Sequence, residues 1–206
     1  MNVAVLGASG VVGRHLLPRL VEAGHRVRAG VRHRGRATAI DGVEQVEADI
    51  LEPATLSNLV TGCSALVNVA SSIPRADGSG GNWATYDSIR RDGTKNVVRV
   101  CEAARIRLVA QSIAMLHCTT QSSPQDETSP RQGTGPRAAA MDLERLISDW
   151  NGDYRVVRGG ALYGPATTTD EDWFARYERG ELQAPGDGSD FISPIHVADL
   201  AAAFQT

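Results

Sequence analysis

The sequence predicts an α/β fold built on a doubly wound parallel sheet. Two observations carry that expectation. The apolar run Val3-Ala4-Val5-Leu6 leads straight into Gly7-Ala8-Ser9-Gly10-Val11-Val12-Gly13, and a helical pattern begins directly after it. Short apolar segments and helical patterns then alternate through most of the 206 residues, and parallel strands joined by helices cross over with a right hand.

Each element has its own signal. Val12, Leu16, Leu20 and Ala23 recur at helical spacing and Gly24 stops that helix, although Pro18 inside it removes a backbone bond. Strands are expected at 26–31, 44–48 and 65–70. A long helix over 83–104 sets Val97, Val100 and Ala104 on one face, and 108–112 forms a fifth strand. A helix carrying Leu143, Leu146, Ile147 and Trp150 precedes a sixth strand at 154–158. Residues 118–136 are rich in Ser, Thr, Gln, Gly and Pro and read as a long surface loop, the kind that borders a site. Residues 164–190 hold a short helix near 173–179 and a Pro185-Gly186-Asp187-Gly188 turn, before a return at 191–197.

Composition narrows the function classes. A hydrophobic content of 42% with 22% charged residues is that of a globular chain with a sizeable core. The formal charge of −3 argues against nucleic acid as the main partner, and a small-molecule substrate is expected instead of nucleic acid or a membrane. No apolar run is long enough to span a bilayer and the start shows no leader pattern, so a cytoplasmic location is expected. Cys63, Cys101 and Cys118 are odd in number and lack metal or redox spacing, which suits a reducing compartment. The five histidines form no ligand pattern, so no metal is expected. Lys95 is the sole lysine.

A strand, a glycine turn and a helix start are how a parallel sheet holds a dinucleotide pyrophosphate. The glycines let backbone approach the phosphates, and the positive helix end with its free N–H groups faces the anion. Gly7, Ser9, Gly10, Val11, Val12 and Gly13 are therefore candidate cofactor-binding residues. The expected division is a dinucleotide-binding unit over 1–163, with a partial substrate-binding region over 164–206 packed on it as one compact domain. Such a fold that prefers NAD places a carboxylate about 20 residues after the turn. Here the second strand ends Ala29-Gly30-Val31-Arg32, and no carboxylate follows until Asp41. Arg32 offers a guanidinium fork to a 2′-phosphate, with Arg34 and Arg36 nearby; the alternative is a solvated basic loop. NADP is the expected cofactor, ahead of NAD.

Further stretches extend the pattern: Ala-Asp-Ile at 48–50, Asp-Gly-Thr-Lys-Asn-Val-Val at 92–98, Ala-Leu-Tyr-Gly-Pro at 161–165 and His-Val-Ala-Asp-Leu-Ala at 196–201. With the opening glycine turn, and in this order, they make the whole chain resemble the short-chain dehydrogenase/reductase superfamily. The likeness is to the extended or atypical branch that includes NAD-dependent epimerases and dehydratases. The resemblance implies a Rossmann-like sheet, with Asp49 and Ile50 bordering the adenine and Ala70 and Ser71 along the cofactor. It implies Ser112 near the nicotinamide. Members usually run on into a further substrate-binding portion, and related folds often pair through helix faces, so a homodimer is a further expectation.

The superfamily also carries a Tyr-x-x-x-Lys pair on the helix after the fifth strand. Its tyrosine exchanges a proton with the substrate oxygen, and its lysine holds the ribose and lowers the tyrosine pKa. This chain supplies no such pair in any register. Aligning on Glu144 puts Pro136 where tyrosine belongs and Ala140 where lysine belongs, and Ile113 stands where the usual serine is expected. Two replacements are candidates. His117 lies just past the fifth strand and carries an imidazole that can give or take a proton, or it merely begins a surface loop. Ser112 reaches a substrate oxygen or the nicotinamide amide, or it satisfies strand-end backbone. Tyr163 reads as packing, Asp126 and Glu127 as solvated loop carboxylates, and Asp199 as the cap of the last helix. The expected function is an atypical nicotinamide-dependent oxidoreductase or epimerase-like protein. The alternative is a non-redox isomerase or cyclase, or a cofactor-sensing binding protein on the same scaffold.

Overall fold

The computed structural model describes residues 1–33, 40–74, 82–117, 124–183, 187–188 and 192–205. Arg34, Arg36, Cys118, Pro185, Gly186 and Phe191 lie outside the described residues.

Six parallel strands form the main sheet in the order β3-β2-β1-β4-β5-β6. They are β1 (Asn2–Leu6), β2 (Arg26–Val31), β3 (Val43–Glu47), β4 (Ala65–Asn68), β5 (Arg107–Ile113) and β6 (Tyr154–Gly159). The order reverses between β1 and β4, and a crevice opens there at the carboxyl ends of the strands. Register fixes which residues share that edge. Leu6 stands opposite Gly30 on one side and Asn68 on the other. Asn68 pairs with Ala110, where β4 stops, while β5 continues beside β6 to Ile113. The last residues of β5 thus have a sheet neighbour on one side only.

Alternating strand residues feed two apolar layers, the burial expected when both faces are covered. Val3, Val5, Val27 and Val67 pack with Leu16 and Leu20 of α1 (Val11–Glu22) and with Leu200 of α7 (Val197–Ala203). Ala4, Leu6, Leu66 and Leu108 pack on the other face with α2 (Pro53–Val60), α4 (Thr94–Ala104) and α5 (Ala138–Ser148). The second helix, α2, has no counterpart among the expected elements. Pro53 opens it at a position where the missing N–H costs nothing, and Leu56, Leu59 and Val60 form its buried face.

Pro18 does not stop α1, which runs on to Glu22. Its end is a Schellman turn: Gly24 at φ +80° donates to the Val21 carbonyl, and His25 donates to that of Leu20. The expected long helix over 83–104 is present in three pieces. A π-helical turn, Ile89–Gly93, joins α3 (Trp83–Ser88) to α4. Such a turn re-aims the side chains it carries.

Beyond β6, a two-stranded parallel sheet pairs β7 (Ala161–Tyr163) with β8 (Pro194–His196), with α6 (Thr168–Glu178) between them in the chain. Tyr163 packs edge-on against His196 at 5.2 Å. The cap of α7 is His196, whose Nδ1 accepts from the Ala198 N–H. Asp199 sits one turn too late to cap and instead lies in the first turn, where a carboxylate meets the positive helix end.

Candidate functional site

The glycine turn is built by close approach. Gly7 has φ +80°, and a Cβ there would lie 2.6 Å from the Ala70 nitrogen at the end of β4. Gly10 donates to the Gly7 carbonyl at 2.9 Å and so closes the turn. A Cβ on Gly13 would lie 2.4 Å from the Gly7 carbonyl oxygen and 2.5 Å from that of Ala8, so α1 rests directly on the turn. Gly10 is the extended N-cap and offers no side-chain acceptor. The first intrahelical bond runs from Arg14 to Gly10, leaving the N–H groups of Val11, Val12 and Gly13 as uncapped donors at the crevice. A pyrophosphate fits this cradle on two counts: backbone stands where a side chain would block it, and the donors have no acceptor among the described residues.

The adenine-side candidates share the same strand edge. Arg32 is exposed immediately after β2. The Asp49 carboxylate accepts from the Leu51 N–H at 2.9 Å, and its backbone N–H donates to Thr55 Oγ1 at 3.0 Å. The Ile50 carbonyl accepts from Asn96 Nδ2 at 3.0 Å. Ala70 donates to Asn68 Oδ1 at 3.1 Å, and Ser71 is exposed beyond it. The ends of β1, β2, β3 and β4 therefore bring Gly7 to Gly13, Arg32, Asp49, Ile50, Ala70 and Ser71 to one edge.

The other half of that edge holds different chemistry from the missing pair. Pro136 lies in a 3-10 turn before α5, and Ala140 is a buried residue of α5. Ser112 is fully buried on β5, and its hydroxyl faces the Glu144 carboxylate without an aligned hydrogen bond. His117 ends the turn Ala114–His117, with a buried Nδ1 that has no partner among the described residues. Glu144, 4% exposed, is held by Arg158 through Nε and Nη2, each at 2.9 Å, and by Arg131. Burial alone would raise its carboxyl pKa; hydrogen bonding from Arg158 and Arg131 outweighs burial and holds it below the usual range. The surface ion pairs Arg91–Asp142 and Lys95–Asp92 occupy Arg91 and Lys95. Asp126 accepts from Thr128 and Ser129, so it shapes its own loop.

Sequence reasoning missed Tyr86 and Arg90, which the π turn brings against β5. Arg90 Nη1 donates to the Gln111 carbonyl at 2.7 Å, and its guanidinium lies 5.3 Å from the Tyr86 ring centroid. The signal was present as a Tyr-x-x-x-Arg spacing, one turn apart on a helix. An open depression of about 580 Å³ bordered by Ser64, Arg107, Trp150 and Asp153 lies at the opposite edge of the sheet. It is remote from every candidate residue, and ligands of such sheets bind at the carboxyl edge.

Comparison with known proteins agrees with this geometry. Residues 7–205 match a family model described as NAD(P)H-binding. The chain belongs to that family. A 3-diazoavenalumate denitrifying reductase from a Streptomyces species is 34% identical over 98% of this chain and 70% of the relative. A ceramide reductase of Caulobacter vibrioides is 28% identical over 97% of the chain, which spans 58% of that relative's length. The UDP-glucose 4-epimerase of Thermus thermophilus, solved with NAD, superposes with a TM-score of 0.81 at 19% identity, covering 100% of this chain and 73% of the epimerase. That last likeness is one of fold. The protein is thus an NAD(P)-binding, oxidoreductase/epimerase-like member of the NAD(P)H-binding family. Among the described residues no helix is long and apolar enough to cross a membrane.

Proposed function

We propose that this NAD(P)H-binding protein is a reductase of a small organic substrate, using NADP(H) ahead of NAD(H). The observation that carries the reading is the backbone cradle at Gly7 to Gly13, with its uncapped donors, beside a strand end that carries Arg32 and no carboxylate. Gly7, Ser9, Gly10, Val11, Val12 and Gly13 would hold the pyrophosphate, and Arg32 the 2′-phosphate. Asp49 and Ile50 would border the adenine, with Ala70, Ser71 and Ser112 along the rest of the cofactor. Bound reduced cofactor supplies a hydride.

Pro136 and Ala140 offer no proton and no cation at the two positions where the superfamily's tyrosine and lysine stand. That suits a hydride acceptor that is already cationic, including one that then expels a neutral leaving group: hydride adds, the acceptor's positive charge is neutralised, and the hydride-transfer step needs no proton. The relatives named as reductases of 3-diazoavenalumate and of ceramide support a reductive role. For an acceptor that does need a proton, His117, in the turn that follows β5, would be the donor, and Ser112 would position the substrate oxygen. A cytoplasmic setting belongs to the same reading, since Cys63 and Cys101 are unpaired thiols and burial pushes Cys101 up to about 12.

Thermal unfolding with each dinucleotide tests the cofactor half. A stabilisation that saturates with NADPH and is weaker with NADH is the expected result. Loss of NADPH absorbance in the presence of an aryl diazonium or a carbonyl compound tests the chemistry. Turnover of the diazonium insensitive to His117→Ala, with carbonyl reduction lowered about a hundredfold by it, fits the proposal. Absence of stabilisation by either dinucleotide refutes it.

A further inference from the structure

Six buried side-chain polar atoms lack a hydrogen-bond partner among the described residues. Arg90 Nε, Thr94 Oγ1 and Ser112 Oγ lie on the face of the sheet that α4 and α5 cover, with His117 Nδ1 in the turn after β5 and Gln111 Oε1 one residue from Ser112 on the other face. Buried polar atoms in folded proteins are nearly always paired, so this concentration marks where a ligand's polar groups or trapped water complete the structure.

Arg90 is the central member. It is 2% exposed, yet it carries a full charge and five N–H donors. Nη1 reaches the Gln111 carbonyl, one face is near Tyr86, and Nε is unsatisfied. The π turn is what aims it: Tyr86, Arg90 and Thr94 fall on one buried stripe, and Arg90 lands beside the part of β5 that β4 no longer covers. A dinucleotide on this sheet lays one nucleotide over β1 to β3 and the other over β4 to β6. Arg90 therefore stands under the second nucleotide, on the helix before β5 rather than the one after it.

We propose that Arg90, with the Ser112 hydroxyl as a second donor, fastens the nicotinamide-side ribose of the bound cofactor. A buried cation from the opposite helix takes the place that Ala140 leaves empty of charge. This rests on the cofactor reading above. Guanidinium is the fitting group, because it stays protonated when buried and presents several donors in a fixed fork. Arg90 acts here as a positioning residue.

The test compares whole and truncated cofactors by direct binding: NADPH against 2′-phospho-ADP, and NADH against ADP, the truncated ligands lacking the nicotinamide-side ribose. Wild-type protein is expected to bind each dinucleotide more tightly than its truncated partner. Arg90→Met is expected to lose about tenfold or more in dinucleotide affinity while the truncated ligands bind as before; Arg90→Lys recovers part of the loss. Should the methionine variant fail to fold, Ser112→Ala carries the test, with about a threefold loss confined to the dinucleotides. Equal effects on whole and truncated ligands, or none, overturn the assignment and leave Arg90 as a brace for β5. If wild-type protein binds the truncated ligands as tightly as the dinucleotides, the assignment fails while the cofactor reading stands. If it binds none of the four, the cofactor reading itself fails.

Discussion

Replacing Gly13 and Gly24 by alanine, one at a time, separates a structural glycine from a functional one on the same helix. In an open helix, Gly→Ala gains about 1 kcal/mol. Gly13 is not open: its new Cβ would meet the Gly7 and Ala8 carbonyl oxygens at 2.4 and 2.5 Å. Those are backbone atoms, so α1 must withdraw by about 1 Å to restore ordinary contact. Overpacking of this kind costs up to about 3 kcal/mol, and the net loss after the helical gain is about 2 kcal/mol. The withdrawal also moves the Val11 to Gly13 amides, and NADPH affinity is expected to fall by at least about tenfold. Gly24 has φ +80° and no atom within 4 Å of an added Cβ. Its alanine pays only for the left-handed backbone, about 1 kcal/mol, and should leave cofactor affinity unchanged. Urea denaturation and an NADPH titration on both variants read the two effects. A Gly13→Ala protein as stable as wild type with full affinity would refute the close-approach account of the cradle.

Two other perturbations probe the edge of the sheet. Arg32→Glu should weaken NADPH by about tenfold and leave NADH binding nearly as it was, measured by parallel fluorescence titrations; equal loss of both would remove Arg32 as the 2′-phosphate ligand. Glu144→Gln breaks a buried pair and should lower stability by about 3 kcal/mol at neutral pH in urea titrations. Because the folded carboxyl titrates below its unfolded value of about 4.3, its contribution is complete above that pH and is lost as pH falls through the folded value. The variant should therefore lose less stability than wild type on acidification below that point. Parallel acid limbs would contradict the assignment.

The cradle was legible because its signals are local. Strand, turn and helix adjoin in the chain, the second strand spans 26–31 as expected, and Gly24 stops α1 where a left-handed residue is needed. The doubly wound parallel sheet followed from the alternation of elements; its strand order is read from the structure. What escaped was set by packing or by long-range pairing. The helix at 53–60 carries a proline start and a Leu56/Leu59/Val60 face, but eight residues give a weak period. The β7–β8 pair joins segments some thirty residues apart, with α6 between them in the chain, and no local pattern announces that. His196 caps α7 in place of Asp199 because its ring nitrogen reaches an N–H two residues on. Arg90 was hidden for a related reason: the π turn that aims it has no sequence signature, and a basic residue on a helix reads as solvated until its burial is seen.

The most direct measurement of the cofactor cradle is an amide-resolved NMR titration with NADPH. Saturable shifts concentrated at Gly7 to Gly13, with the amides of Val11, Val12 and Gly13 moving most, are the predicted result. A titration to millimolar cofactor in which those amides stay fixed, or move less than residues at the opposite edge such as Ser64 and Asp153, would contradict it.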